Sequence, residues 1–466
     1  MDHILSTPQK ALQINIDLKK FGTFAEIGAG QEVARWFFHV GRAAGTVAKS
    51  ISAYDMAISD DLYGAAGHYV SRERLQAMLT REFEQLRNRK PTKASPPKAL
   101  FVFADTVTTQ SHTHGGQGWM GIRFQNDPGG ETSEILIHFA MSDPETVNEQ
   151  EAAGILGVNL IHAAFYYNHD PKLCVNSLMD GLSRRRIEVD MIKFSGPVFA
   201  TVDNRLMSLQ LVESSLTDAA LFTAAGEVVQ PSEVLYGKRV LIERGSFRPI
   251  TNVTLDMLSR AEQQLSPLLP GEERVVLMEM TLNNLMSTVP GQTIDHQDFL
   301  SRVDLLGALG KTVMISNYTR FDAVTGYLRR ATTNWIAMVM GVPTLNEIFD
   351  EKYYADIPGG ILQGLGALFQ GRVKLMIYPT KDSADGPLST ADSLVVPAEQ
   401  KKLYEYLREN GSIEAIREFE QAQLHISPGD VLRRLQAGDA TWRELVPAQV
   451  ADLIVQRGLF GNAPPA

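Results

Sequence analysis

The chain reads as an α/β protein, with a mixed α+β N-terminal part followed by a parallel, Rossmann-like sheet in the C-terminal part. Three observations predict this. After residue 272, nearly uninterrupted apolar runs (Val275–Met280, Thr312–Ser316, Trp335–Met340, Lys374–Tyr378) alternate with helical patterns, the rhythm of a parallel sheet covered on both faces. Before residue 265, strand and helix patterns are mixed without that regularity. Two polar, proline-bearing stretches, Lys90–Lys98 and Ser266–Glu273, read as seams. The expected domains are therefore 1–90, an α-rich segment with a glycine turn; 99–265, an α+β domain; 272–425, a Rossmann-like α/β domain; and 426–466, a helical tail.

The elements follow in order. Phe24–Ile27 is a short strand running into Gly28 and Gly30. Ser71 caps a helix with Glu73 in its first turn and Leu75, Met78, Leu79, Phe83 and Leu86 at helical spacing. Ala99–Ala104, Trp119–Gln125 and Glu134–Met141 are strands, the last two separated by the turn Asn126–Gly130. Glu149–Tyr167 and Asp203–Val212 are helical, Arg186–Phe194 is a strand closed by Ser195-Gly196-Pro197, and Val240–Glu243 is a strand leading into Arg244-Gly245. In the regular part, helices are expected at His296–Leu309, at Phe321–Arg330, in the stretch up to Phe369 and at Ala398–Ala422. Ser427-Pro428 caps small terminal helices, and Pro464-Pro465-Ala466 is expected to fray.

Composition narrows the function. Of 466 residues, 44% are hydrophobic and 21% charged, with a formal net charge of -10; that is ample material for several cores. An acidic chain whose longest basic run is Arg184-Arg185-Arg186 lacks the cationic stripe that nucleic acid binding needs. Cys174 is the only cysteine, so neither an internal disulfide nor a thiolate zinc site can form. There is no basic-then-apolar leader pattern and no 18-residue apolar run. The expectation is a cytoplasmic protein with no membrane or nucleic acid partner, no resident metal and no cofactor that the sequence names. No repeat period appears.

Four places carry candidate chemistry. The first is the corner Phe24–Ala34, where strand, glycine pair and helix would let amides face an anion. Gly28, Gly30 and Gln31 are its candidate ligand-binding residues, and Asp55, some 25 residues further on, is the candidate ribose-binding acid. The third glycine of the dinucleotide fingerprint is missing, so a tight packing turn is the competing reading. The second is the carboxyl edge of Thr312–Ser316, where Ser316, Asn317 and Arg320 are candidate ligand contacts, with Glu279, Lys381 and Asp382 on the same edge. The third is the charged stretch containing Lys238, Arg239, Arg244 and Arg248, which either converges on an anion or forms salt bridges. The fourth is His112-Thr113-His114, two imidazoles that would need a third ligand to hold a metal; a glycine-rich loop is the alternative. Motifs of serine hydrolases, phosphate-loop triphosphatases and HExxH proteases are missing.

Six segments resemble an uncharacterised bacterial protein family with cyanobacterial and other Gram-negative members: FAEIGAGQEVARWFF, AGTVAKSISAYDM, GILGVNLIHAAF, RIEVDMIKFSGP, VDNRLMSLQLV and VVQPSEVLYGKRVLIERGSFRPIT. Members similar to this chain are sometimes labelled TonB-dependent receptor or nicotinate-nucleotide adenylyltransferase. The first label implies a signal peptide and many lipid-facing strands, which the sequence does not show. The second implies an HxGH loop and an ISSTxxR-like motif. His112-Thr113-His114-Gly115 is not HxGH, and no close copy of the second motif occurs. A nucleotide-binding sheet is compatible with the pattern, but no catalytic residue carries over.

Two functional readings stay open. One is binding of a nucleotide-like or phosphorylated small molecule, with nucleotidyltransferase-type activity unsupported by motifs. The other is a non-enzymatic scaffold or regulatory protein that self-associates or meets a protein partner, with Trp36-Phe37-Phe38 at the interface.

Overall fold

The computed structural model describes residues 4–89, 96–111, 115–268, 273–286 and 293–461. The chain divides into two compact units, Met1–Asp218 and Ala219–Ala466. Most of the proline-bearing segment, as well as His112, His114 and the terminal Pro464-Pro465-Ala466, lie outside the described residues.

The N-terminal unit holds β1 (Lys20–Gly28), β2 (Val47–Ile51), β3 (Ala99–Thr108), β4 (Gly116–Gln125), β5 (Thr132–Met141) and β6 (Ile187–Ser195) in the order β2-β1-β3-β4-β5-β6. β2, β1 and β3 are parallel, and β3 to β6 antiparallel. On one face, Phe24, Phe101, Phe103, Met120, Ile137 and Phe139 share a core with helices Thr7–Ile16, Glu32–His39 and Thr146–Tyr166. The other face receives helix Arg72–Arg87, where Gly121 lets Leu75 and Leu79 approach the strand. β1 and β3 pair over nine positions. The expected boundary at residue 90 therefore falls inside one sheet, and the first strand runs four residues further back than its apolar centre indicates.

The C-terminal unit holds β7 (Ala219–Phe222), β8 (Val228–Val229), β9 (Arg239–Arg244), β10 (Arg274–Thr281), β11 (Thr312–Ser316), β12 (Ile336–Gly341), β13 (Val373–Tyr378) and β14 (Ile413–Ala415), ordered β14-β13-β12-β9-β10-β11-β7-β8. β9 to β14 are all parallel, and β7 with β8 adds an antiparallel edge. The chain proceeds from β9 to β10 and β11, then crosses to the other flank for β12, β13 and β14. That is the doubly wound order 3-2-1-4-5-6. β9 is thus the centre of this sheet and does not belong to a domain ending at 265. The polar stretch after Leu265 is the connection from crossover helix Asn252–Leu265 to β10. Within Ala398–Ala422 the helix is confined to Lys401–Glu409. Gly411 takes φ +74° there, and Ile413 enters the sheet as β14. Helices Phe321–Arg329, Val342–Ile348, Gly360–Leu368 and Lys401–Glu409 cover the face that carries Val240, Ile242, Met338 and Leu375. No described helix is long and apolar enough to cross a membrane.

Candidate functional site

The glycine corner forms as a turn, and three of its amides, Ala29 N, Val33 N and Ala34 N, are bonded within the protein. Gly28 adopts φ +79°, and a Cβ there would lie 2.1 Å from the Val107 carbonyl oxygen of β3. A Cβ on Gly30 would lie 2.1 Å from Asp105 Oδ1. Close packing therefore demands both glycines. The Glu26 carboxylate turns from β1 to the start of helix Glu32–His39, where it accepts from Val33 N at 2.9 Å and Ala34 N at 3.2 Å. Two amides of the helix start, Val33 N and Ala34 N, are thus bonded to this buried carboxyl. Glu26 is pushed up to about 8 by burial, against the pull of those two amides. Asp105 is raised by burial and then by the Glu26 charge. Gln31 donates to Ser52 Oγ at 3.0 Å. Asp55 is exposed and caps helix Met56–Tyr63 by accepting from Ala57 N and Ile58 N at 3.0 and 3.1 Å.

The edge of β11 is similarly filled. Ser316 donates to Glu279 Oε1 at 2.6 Å. Glu279, fully buried, accepts a two-pronged pair from Arg244 at 3.0 and 2.9 Å. Arg244 also stacks on Phe321, 4.3 Å from the ring centroid. Asn317 is exposed, and Arg320 bonds Asp322 and Asp356. The charged stretch resolves into ion pairs within this unit, Lys238 with Glu273, Arg244 with Glu279 and Arg248 with Asp298. Of Trp36-Phe37-Phe38, Phe37 is core and Trp36 packs against it, leaving Phe38 as the exposed ring.

The open hollow lies where sequence reasoning did not place it. A cavity of about 210 Å³ sits at the carboxyl ends of β9 and β12, lined by Glu243, Arg244, Gly245, Ser246, Thr251, Thr254, Gly341 and Thr344, with Met257, Val339 and Ile426 as apolar wall. These two strands flank the point where strand order reverses, the usual ligand position in such sheets. Helix Asn252–Leu265 starts here, its cap Thr251 accepting from Thr254 N. Gly245 passes close to the Phe247 ring, 2.8 Å from where a Cβ would be, so the turn after β9 tolerates no larger residue without movement. Glu243 is 5% exposed, and its Oε2 has no hydrogen-bond partner. Burial raises its carboxyl well above the usual range, outweighing the Thr254 hydroxyl and the Lys311 charge. The signal for this site was the glycine at the end of each strand, Gly245 just after β9 and Gly341 closing β12, but only the pairing of β9 with β12 brings them together. Among the described residues no group of three or more His, Cys, Asp or Glu could hold a metal ion.

No protein-family model matches the chain, and no curated protein does. Solved structures match in part. The competence/damage inducible protein CihA from Agrobacterium tumefaciens is 15% identical, with 35% of this chain and 98% of that chain covered and a TM-score of 0.26. A competence or damage-inducible protein from Enterobacter asburiae is 13% identical over 34% of this chain and 95% of that chain, at 0.26. A putative nicotinate-nucleotide adenylyltransferase from Vibrio parahaemolyticus is 13% identical over 48% of this chain and 97% of that chain, at 0.20. Nothing about activity follows from likenesses at these scores.

Proposed function

We propose that the protein binds a nucleotide-like or phosphorylated small molecule in the cleft between the carboxyl ends of β9 and β12. The observation that carries this reading is the cavity of about 210 Å³ at the reversal point of a doubly wound sheet. Helix Asn252–Leu265 begins in its wall, and the positive end of a helix favours an anionic group. Ser246 and Thr344 offer hydroxyls to a sugar or phosphate, while Met257, Val339 and Ile426 offer an apolar side to a ring. Burial favours the protonated form of Glu243, which lessens its repulsion of an anion. Among the described residues no histidine lines the cleft, so the reading is one of binding, and no residue is assigned to nucleotidyl transfer.

Thermal shift against a panel of nucleotides and sugar phosphates tests it, with Thr344→Phe as the variant that crowds the cleft. At about 100 times its dissociation constant a ligand adds about 2.7 kcal/mol. The expected result is a shift for the wild type that Thr344→Phe loses. A panel without any shift, or one whose shifts survive the substitution, overturns the reading.

A further inference from the structure

At the amino ends of β12 and β13, the ends opposite the cleft, Arg329 lies against Gly371, next in sequence to Arg372, and among the described residues no carboxylate is paired with it. Helix Phe321–Arg329 ends beside Gly371 and Arg372, which lead into β13. The Arg329 guanidinium lies over Gly371, where a Cβ would sit 3.3 Å from Nε and 3.4 Å from Cζ, and Gly371 holds φ +76°. Arg329 Nη1 donates to the Asn334 carbonyl at 2.5 Å. That acceptor is fixed: Asn334 N donates to Thr332 Oγ1 at 3.1 Å, Trp335 N to Asn334 Oδ1 at 2.8 Å, and Thr332 Oγ1 to the Lys238 carbonyl at 2.8 Å. The remaining edge of the guanidinium, Nε and Nη2, is buried and has no partner.

Arginines at comparable or greater burial are neutralised. Arg74, Arg244 and Arg302 each face a carboxylate, of Asp60, Glu279 and Asp298 respectively. Arg329 instead has a like charge beside it. Burial first, and then the charge of exposed Arg372, holds its pKa below the usual arginine range. A desolvated guanidinium edge next to a second guanidinium is costly unless an anion accepts from both. The Nε–Nη2 edge presents two parallel N–H groups, a fork that fits two oxygens of a tetrahedral oxyanion. Arg372, long and exposed, can change rotamer to admit and cover it without breaking an ion pair.

We propose that Arg329 and Arg372 form a second site, distinct from the cleft, for phosphate or the phosphoryl group of a phosphate monoester. Calorimetric titration at constant ionic strength tests it, with inorganic phosphate in one arm and a nucleoside monophosphate in the other. Arg372→Ala, at an exposed position, leaves the core intact. Arg329→Lys keeps the charge and loses the fork, and Lys402→Ala on the surface is the control. Saturable phosphate binding is expected in the wild type and in Lys402→Ala, weakened about tenfold or more by Arg372→Ala and by Arg329→Lys, the size of one lost charge-assisted hydrogen bond. Loss in both arms identifies the phosphoryl group, and loss with inorganic phosphate alone identifies free phosphate. Binding that Arg372→Ala leaves unchanged, binding abolished by Thr344→Phe in the cleft, or no saturable binding overturns the proposal.

Discussion

Replacing Glu26 with glutamine is expected to flatten the pH dependence of stability in the N-terminal unit. Glu26 on β1 stands in register with Asp105 on β3, and the two are 2% and 0% exposed. Burial lifts Glu26 from 4.5 to about 8, so the folded state holds its proton more tightly than the unfolded chain does. The stabilisation is complete below the unfolded value and is lost as pH rises through the folded one. A gap of about 3.5 at 1.36 kcal/mol per pH unit corresponds to roughly 5 kcal/mol. Most of that is expected to disappear between pH 5 and 8, and Asp105, raised for the same reason, acts in the same direction. Glutamine keeps an oxygen for the Val33 and Ala34 amides but has no proton to lose. Cys174, the only cysteine, is buried in this unit. The urea concentration at which it becomes open to a thiol reagent, with labelling done at one fixed pH after equilibration, therefore reports this unit alone. A wild-type profile that is flat from pH 5 to 8, or a Glu26→Gln slope equal to that of the wild type, would refute the reasoning.

Other outcomes follow from packing and pairing. Gly30→Ala drives a methyl group to 2.1 Å from Asp105 Oδ1 and is expected to cost about 1–3 kcal/mol, read by the same Cys174 midpoint. Gly28→Ala meets backbone instead of a side chain and adds the strain of φ +79°, so its loss should be the larger. In the C-terminal unit, Glu279→Ala strands Arg244 and is expected to cost about 3–5 kcal/mol. Ser316→Ala removes one hydrogen bond to a charged group, worth about 1.5–3 kcal/mol. Calorimetric unfolding should show Glu279→Ala as the more damaging of the two.

The parallel strands of the second unit were legible because each is an apolar run bounded by polar or glycine residues. Thr312–Ser316 has the expected bounds, and the edges of β10, β12 and β13 shift by one residue. What local pattern cannot supply is pairing. β9 has the same composition whether it ends one domain or centres the next, and only its ladders with β10 and β12 decide. β8 and β14, with two and three residues, are too short for periodicity to register. At the glycine corner the turn was readable from Gly28 and Gly30. The fate of its amides was not, although Glu26 alternates in register with buried Phe24 and lies seven residues before Val33, the amide it binds. Ser316 was singled out for its position at a strand end, but its hydroxyl points inward to Glu279 on the neighbouring β10, which Arg244 on β9 holds in turn.

Hydrogen exchange across the whole chain, with and without a saturating member of the nucleotide panel, tests the central claim most directly. Binding in the cleft slows exchange in 243–257 and 339–344 and leaves 28–34 and 316–320 at their unliganded rates. Protection centred on the glycine corner, or unchanged exchange at both ends of the cleft while ligand is bound, would contradict it.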